Sequence, residues 1–222
     1  MTQLILDLGH RAALGEADFM VAPCNAQAVQ WIDRWPNWPA PALTIHGPPG
    51  CGKTHLARVF AQRSGAAVID AAALSSERVP DLLGTGQAAV VDDAERAQSE
   101  PLLHLYNELA ERRGHLLLTA GEAPARWRDT LADLRSRLAA APTIAVAPPD
   151  DALLAALLLK LFGDRQLTVG EDLLRFLLPR MERSFEAARR LVAALDRAAL
   201  SEQRAITVPL ARAVLDLDQG TK

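Results

Sequence analysis

The sequence predicts an α/β domain built on a five-stranded parallel sheet, followed by a small all-α domain. Five short apolar runs alternate with helical patterns as far as Pro148, which is typical of an open parallel sheet covered by helices. The predicted strands are ALTIH at 42–46, AAVID at 66–70, AAVVD at 88–92, HLLLT at 115–119 and TIAVA at 143–147. After Pro149 the periodicity is helical only, which predicts the second domain. Its helices are predicted at about 150–162, 171–178, 185–200 and 208–217, with Asp150, Ser184 and Thr207 as N-caps.

Composition and charge exclude several classes of protein. Half of the 222 residues are hydrophobic, which provides a substantial core and argues against global disorder. The formal net charge of −3 argues against a dedicated nucleic-acid binder, which usually has a basic excess. The longest apolar run, 152–162, is too short to span a bilayer, and the first residues lack the basic start of a signal peptide. Cys24 and Cys51 are the only cysteines, and we expect both to be reduced thiols. Together with the short apolar run, this favours a cytoplasmic protein without membrane contact.

The segment GPPGCGKT at residues 47–54 has the spacing of a phosphate-binding loop. It follows a predicted strand and precedes a predicted helix at 54–65, as such a loop requires. The glycines allow a tight turn that points several backbone N–H groups at a phosphate chain. Lys53 supplies a positive charge and Thr54 a hydroxyl group suited to Mg²⁺. The residues expected to bind a nucleotide are Gly47, Pro48, Pro49, Gly50, Cys51, Gly52, Lys53, Thr54 and His55.

Further candidate residues end the predicted strands or precede them. Asp92 and Asp93 end the third strand, where a carboxylate holds Mg²⁺ in P-loop proteins; Asp92 is preferred because it directly follows the apolar run. Thr119 ends the fourth strand, where it either lies near a γ-phosphate or caps the next turn. Arg135 and Arg137 lie near the end of the helix before the fifth strand. The residues alone favour a solvated helix end, and the alternative is an arginine finger donated to a neighbouring subunit's phosphate.

The order of these motifs resembles the AAA+ ATPases, and within them the DnaA branch. The resemblance is carried by DFMVAPCNAQAV at 18–29, DLRSRLAAAPTIAVAPPDD at 133–151 and LDRAALSEQRAITVP at 195–209. It implies a P-loop AAA+ core with a helical lid, bound ADP or ATP with Mg²⁺, and an arginine finger at Arg137. The implied domains are a tail at 1–17, a nucleotide-binding core at 18–149 and a lid at 150–222.

The segment QLILDL at residues 3–8 resembles the hexapeptide by which bacterial proteins dock on the DNA polymerase sliding clamp, the beta subunit. In that mode an extended peptide offers an amide to a polar pocket and leucines to apolar pockets, although alternating leucines are equally typical of a β-strand. The residues concerned are Gln3, Leu4, Leu6 and Leu8. We expect no DNA-binding domain after the lid, and only residues 70–87 separate the predicted second and third strands. In this combination the chain resembles the Hda family of DnaA regulators, which implies DnaA and the clamp as partners without sequence-specific DNA binding.

Two positions depart from the AAA+ pattern. Gly121 stands two residues after Thr119, where AAA+ motors carry Asn or Asp to polarise the attacking water. The ungapped match to the arginine with which the DnaA lid senses ATP is Glu186, and Arg189 lies one turn further along the same helix face. Both departures argue against vigorous hydrolysis by this chain and favour a nucleotide that is held as a structural ligand.

The resemblance therefore implies a regulator that is tethered to the DNA-loaded clamp and represses re-initiation of DNA replication. It would do so by stimulating hydrolysis of DnaA-bound ATP through Arg137. Two alternatives stay open: an AAA+ ATPase that loads or remodels replication proteins by its own turnover, and a clamp- or membrane-linked adaptor that binds nucleotide only for folding. The residues also leave open whether ADP or ATP is the working ligand and whether the chain forms a homo-oligomer.

Overall fold

The computed structural model describes residues 20–219, with side chains described to residue 216. The contacts between Cα atoms divide the chain into a first unit that ends at Ala147 and a second that begins at Pro148. None of the helices in this described part has the length and apolar character needed to cross a membrane. The four residues of the clamp-like peptide, Gln3, Leu4, Leu6 and Leu8, lie outside the described residues.

A five-stranded parallel sheet forms the centre of the first unit, in the order β2-β3-β4-β1-β5. The strands are β1 Ala42–His46, β2 Ala67–Asp70, β3 Ala88–Asp92, β4 His115–Ala120 and β5 Thr143–Ala145. Their nearly continuous apolar residues suit strands that are covered on two faces, and the predicted parallel sheet is confirmed. The pairing of Val91 with Leu118 and of Ile45 with Thr119 brings the carboxyl ends of β3, β4 and β1 side by side. Open α/β sheets bind their ligands at this edge.

Helices cover both faces of the sheet. The helices of the first unit are α1 Ala26–Asp33, α2 Lys53–Ser64, α3 Val79–Leu83, α4 Ser99–Glu111 and α5 Ala132–Ala140. Successive residues of a strand point to opposite faces, so Leu117 packs with Phe60 of α2 on one side. Leu116 and Leu118 pack on the other side with residues of α3, α4 and α5, such as Leu105. These two hydrophobic clusters, one on each face of the sheet, fix the positions of the helices that begin or end beside the carboxyl edge.

Aromatic rings anchor the segment between α1 and β1. The Trp38 ring stacks on Phe60 with 5.2 Å between ring centroids, and Trp35 meets the same ring edge-on at 5.9 Å. Contacts of this kind contribute stabilising free energy in addition to that of the surface area that the rings bury. The strand that leads into the phosphate-binding loop therefore starts from a well-packed segment.

The second unit is all-helical, as predicted. Its helices are α6 Asp151–Gly163, α7 Glu171–Leu177, α8 Phe185–Glu202 and α9 Val208–Gln219. Asp150 caps α6 by accepting the N–H of Leu153 at 2.8 Å, and Ser184 caps α8 by accepting the N–H of Ala187 at 3.0 Å. Thr207 directly precedes α9. Apolar residues of α6, α7 and α8 form the buried interior of this unit, among them Leu154, Leu158, Phe162, Leu177, Val192 and Leu195.

Candidate nucleotide-binding site

The loop between β1 and α2 requires glycine at three positions. Gly50 has a φ of 71° and Gly52, directly before α2, has a φ of 103°, which is the left-handed region that glycine adopts without strain. A Cβ on Gly47 would overlap the carbonyl oxygen of Val146, just beyond β5. The Gly47 N–H also donates to the Ala120 carbonyl at 3.1 Å. The loop is therefore seated directly on the carboxyl ends of β4 and β5.

The close approach at Gly47 makes a first prediction. Gly47→Ala is expected to lower the free energy of unfolding by about 1–3 kcal/mol, because the backbone must shift to admit the methyl group. For a chain of this size, the melting temperature would then fall by roughly 2–12 °C, which circular dichroism measures. Gly163→Ala is the matched control, since a Cβ at the end of α6 meets nothing within 4 Å. An unchanged melting temperature for Gly47→Ala would contradict the close packing.

Lys53 begins α2 and is only 8% exposed, which is rare for an ammonium group. Its Nζ donates to the carbonyl oxygens of Gly47 at 2.8 Å and of Pro48 at 3.0 Å, so its charge is held against the loop backbone. The N-terminus of α2 adds partial positive charge and backbone N–H groups without helical partners at the same place. A phosphate chain is the ligand that this combination favours.

Thr54, Asp92 and Thr119 form a hydrogen-bonded chain across the ends of α2, β3 and β4. The Thr54 hydroxyl donates to Asp92 Oδ2 at 3.0 Å, and the Thr119 hydroxyl donates to Asp92 Oδ1. Thr54 and Asp92 thus place two hard oxygen ligands side by side, an arrangement that fits Mg²⁺. Phosphate oxygens and water molecules commonly supply the other ligands of this ion. Among the residues that the structure describes, no group of three His, Cys, Asp or Glu side chains is arranged to hold a metal.

Asp93 and Thr119 have roles that the strand-end pattern did not indicate. Asp93 adopts a left-handed φ of 52°, and its carboxylate pairs with Arg96 at 3.7 Å. Thr119 is fully buried, and its hydroxyl accepts the Asp93 N–H at 3.1 Å while it donates to Asp92. Thr119 therefore holds the end of β3 through hydrogen bonds to Asp92 and Asp93, instead of facing a phosphate or capping the following turn.

Glu95 is a residue of this region that the sequence analysis missed. Its Oε1 accepts the N–H of Gly121 at 2.6 Å, which joins the turn after β3 to the turn after β4. A Cβ at Gly121 would lie 3.0 Å from that oxygen. Gly121, which the resemblance matches to a water-polarising residue of AAA+ motors, has no side chain, and its N–H donates to the Glu95 carboxylate. The two residues are 26 positions apart, and only the pairing of β3 with β4 brings them together.

The electrostatic environment of the loop is positive. Burial lowers the pKa of His46 below its ordinary value, and the positive charges of Arg126 and Lys53 lower it further. Burial raises the pKa of the Cys51 thiol, which keeps this group neutral at pH 7. Arg126, in the turn after β4, belongs to no motif of the sequence. Its charge adds to that of Lys53 and favours a polyphosphate ligand at this edge of the sheet.

The other predicted loop residues complete the turn. Pro48 and Pro49 are exposed, Cys51 is buried, and His55 is half-buried in the first turn of α2. The structure therefore brings the predicted segment 47–55 together with the predicted Asp92 at one edge of the sheet.

Arg137 lies on α5, and its side chain is 38% exposed. Its Nε and Nη2 donate to Asp133 Oδ1 and Oδ2 at 3.1 and 3.2 Å. Its guanidinium carbon lies 5.6 Å from the centre of the Tyr106 ring, which projects from α4. On the same helix Arg135 donates to the Thr130 carbonyl at 3.3 Å. Arg137 is therefore a surface cation that contacts two elements of its own unit.

Arg189 lies in the second unit, where it is exposed on α8. Glu186, the ungapped match to the sensing arginine, pairs with Arg190 at 2.7 Å. Arg189 and the phosphate-binding loop thus belong to different units, and a contact of Arg189 with nucleotide stays a prediction.

Comparison with known proteins finds a family match in the second unit and a shared fold over most of the chain. Residues 150–215 match the family model of the Hda lid domain. Domain III of the Thermotoga maritima replication initiation protein DnaA superposes with a TM-score of 0.75 at 17% identity, covering 89% of this chain and 93% of that one.

Two longer proteins have the same fold. DnaA from Aquifex aeolicus, with AMPPCP bound, superposes with a TM-score of 0.69 at 16% identity over 80% of this chain. The Thermotoga maritima RuvB Holliday junction branch migration motor also gives a TM-score of 0.69 at 16% identity, over 86% of this chain. The present chain spans 63% of the length of the Aquifex DnaA chain and 66% of the RuvB chain. Residues 150–215 are therefore similar to the lid domain of Hda, and the chain shares its fold with DnaA domain III and with RuvB.

Proposed function

We propose that this chain is a nucleotide-bound regulator that stimulates hydrolysis of DnaA-bound ATP while it is tethered to the DNA-loaded sliding clamp. Such an activity would repress re-initiation of DNA replication. The observation that carries the proposal is Arg137, a surface guanidinium held by two neighbours. It occurs in a chain that has a backbone amide, at Gly121, where a motor needs a water-polarising side chain. Such a cation suits the phosphates of a nucleotide that is bound to a second protein.

An adenine nucleotide, ADP or ATP, is the proposed ligand of the loop at 47–54. Lys53 and the N-terminus of α2 would bind its phosphates, and Thr54 and Asp92 would hold Mg²⁺ through their oxygens. When bound, Mg²⁺ neutralises phosphate charge. Because Glu95 already accepts the Gly121 N–H and Asp93 pairs with Arg96, we expect little hydrolysis at this site and a mainly structural role for the nucleotide.

Arg137 is the proposed arginine finger. Phosphoryl transfer spreads negative charge over the oxygens of the transferred group, and a planar guanidinium donates two parallel hydrogen bonds to such oxygens. A finger supplied in trans contributes about 10³–10⁵ in rate when it is fully engaged. The exposed position of Arg137 on α5 supports contact with a phosphate on another protein.

Hydrolysis of ATP pre-bound to DnaA tests this function. The assay contains this chain, ADP, and clamp loaded on DNA, and each component is omitted in turn. We expect conversion of DnaA-bound ATP to ADP to rise only when all components are present. If DnaA-bound ATP is unaffected while this chain consumes ATP itself, the loader alternative replaces the regulator.

The tether at residues 3–8 has its own signature in this assay. A variant with Gln3, Leu4, Leu6 and Leu8 all changed to Ala is expected to need a far higher protein concentration for half-maximal stimulation. Its maximal rate is expected to be unchanged, because a tether raises effective concentration without altering the contacts at the reacting phosphate. A lower maximal rate at saturation would contradict a purely tethering role.

A further inference from the structure

The orientation of the Arg137 side chain is set by two residues on different helices. Asp133 lies one turn earlier on α5 and accepts two hydrogen bonds, from Nε at 3.1 Å and from Nη2 at 3.2 Å. Tyr106 of α4 places its ring 5.6 Å from the guanidinium carbon. Tyr106 is only 6% exposed and belongs to the packed core, so its ring is a rigid surface. Burial is also the main reason why the pKa of Tyr106 is raised, which keeps the phenol neutral.

The geometry of the Asp133 contact leaves part of the guanidinium available. A guanidinium is planar and carries five N–H donors along distinct edges. Asp133 occupies the side edge, formed by Nε and one N–H of Nη2. The end edge, formed by Nη1 and the second N–H of Nη2, is the one that can present two parallel donors to a phosphate oxygen pair. Asp133 can therefore hold Arg137 while Arg137 binds a phosphate.

A long side chain that is already oriented before the partner binds can contact the transition state at a lower cost in conformational entropy. A mobile arginine loses rotamer freedom when it engages, and that loss opposes the interaction. An exposed ion pair one helical turn apart contributes little to folding stability, so the main consequence of the Asp133 contact is orientation. The carboxylate also adds negative charge near the incoming phosphate, so removing it would not weaken the approach of the partner.

We propose that Asp133 is a positioning residue for Arg137, supported by the ring of Tyr106, and that it pre-orients the end edge of the guanidinium toward a phosphate of the partner. This inference rests on the proposed function, because it assigns the device that makes the finger effective. It differs from a structural role in its kinetic signature. Loss of Asp133 lowers the maximal stimulated rate and leaves the concentration for half-maximal stimulation unchanged or lower.

A double-mutant cycle with the full chain in the DnaA-ATP assay tests the proposal. We expect Asp133→Ala to reduce the maximal stimulated rate by about tenfold, since a loosely held group reacts less often in the productive geometry. In the Arg137→Ala background the same change should have no further effect. Asp133→Glu keeps a carboxylate within reach of the arginine and is expected to restore part of the rate.

The matched control is Glu100→Ala. Glu100 is exposed in the first turn of α4, as Asp133 is in the first turn of α5, so both changes remove one carboxylate from a helix start. A maximal rate for Asp133→Ala within about twofold of the control, with Arg137→Ala inactive, would overturn the positioning role alone. Full activity of Arg137→Ala would instead overturn the proposed function and this inference with it.

A second measurement does not depend on the partner. Nitrogen-15 relaxation of the Arg137 Nε–H group reports side-chain motion in the isolated chain. We expect this group to be restrained in the wild type and in Glu100→Ala, and mobile in Asp133→Ala. Equal mobility in all three proteins would show that Asp133 does not hold Arg137, whatever the assay with DnaA reports.

Discussion

Arg137→Ala is expected to reduce the stimulated hydrolysis of DnaA-bound ATP by at least roughly 10³-fold, the lower end of the effect of an arginine finger. The side chain is exposed on α5 and carries a planar set of N–H donors that suits phosphate oxygens. Nucleotide binding by the chain itself should be unchanged, since Lys53, Thr54 and Asp92 stay in place. Single-turnover hydrolysis of ATP pre-bound to DnaA measures the first effect, and calorimetric titration with ADP measures the second.

Two further variants separate the geometry of Arg137 from its charge. Arg135→Ala removes the same charge from the same helix and is expected to retain stimulation, because Arg135 points to the Thr130 carbonyl. Arg137→Lys keeps the charge but loses the paired donors, so it should remain close to Arg137→Ala in rate. Stimulation by Arg137→Ala at the wild-type rate would rule out the finger. A loss as large in Arg135→Ala would point to a general effect of charge or folding.

Lys53→Ala is expected to weaken the binding of ADP by roughly 30- to 5,000-fold. The reason is the loss of a buried charge partner for the phosphates, which costs about 2–5 kcal/mol. Lys53 is suited to this role because the residue is only 8% exposed and its ammonium group donates to the carbonyls of Gly47 and Pro48 at the loop. Calorimetric titration with ADP in the presence of Mg²⁺ gives the dissociation constants of ADP for the wild type and for Lys53→Ala.

The control for Lys53→Ala is Arg58→Ala. Arg58 is exposed on the same helix, so this variant lowers the net charge equally without touching the loop. Circular dichroism should show helical content near the wild-type value for both variants. If Lys53→Ala binds ADP with wild-type affinity, the loop at 47–54 is not the nucleotide site. If Arg58→Ala is equally impaired, the effect belongs to the charge or stability of α2.

Strand positions were predictable from the sequence because each strand is a short apolar run between turn residues. The predicted bounds agree with the observed ones within two residues. The largest difference is in β5, which was expected to reach Ala147 and ends at Ala145. There the backbone partner changes: the Val146 N–H still donates to His46, but the Ala147 N–H donates to Cys24, before α1. The periodicity of a strand carries no information about such a change of partner.

What the sequence determined by itself was local. The loop 47–54, the helix that follows it, the N-caps Asp150 and Ser184, and the spacing of Asp133 and Arg137 by one helical turn all depend on residues close together in the chain. Backbone propensity and side-chain reach within a few residues are enough to specify such features.

Only the tertiary structure decided which distant residues meet. The strand order β2-β3-β4-β1-β5 makes neighbours of β3 and β4, and this pairing puts Thr119 on Asp92 and Glu95 on Gly121. The packing of α4 beside α5 puts the Tyr106 ring beside Arg137. These contacts join residues about 26 or more positions apart, beyond the range of any turn or helix rule. They form because burying two faces of one sheet selects a single arrangement of strands and helices, and the side chains at its carboxyl edge follow from that arrangement.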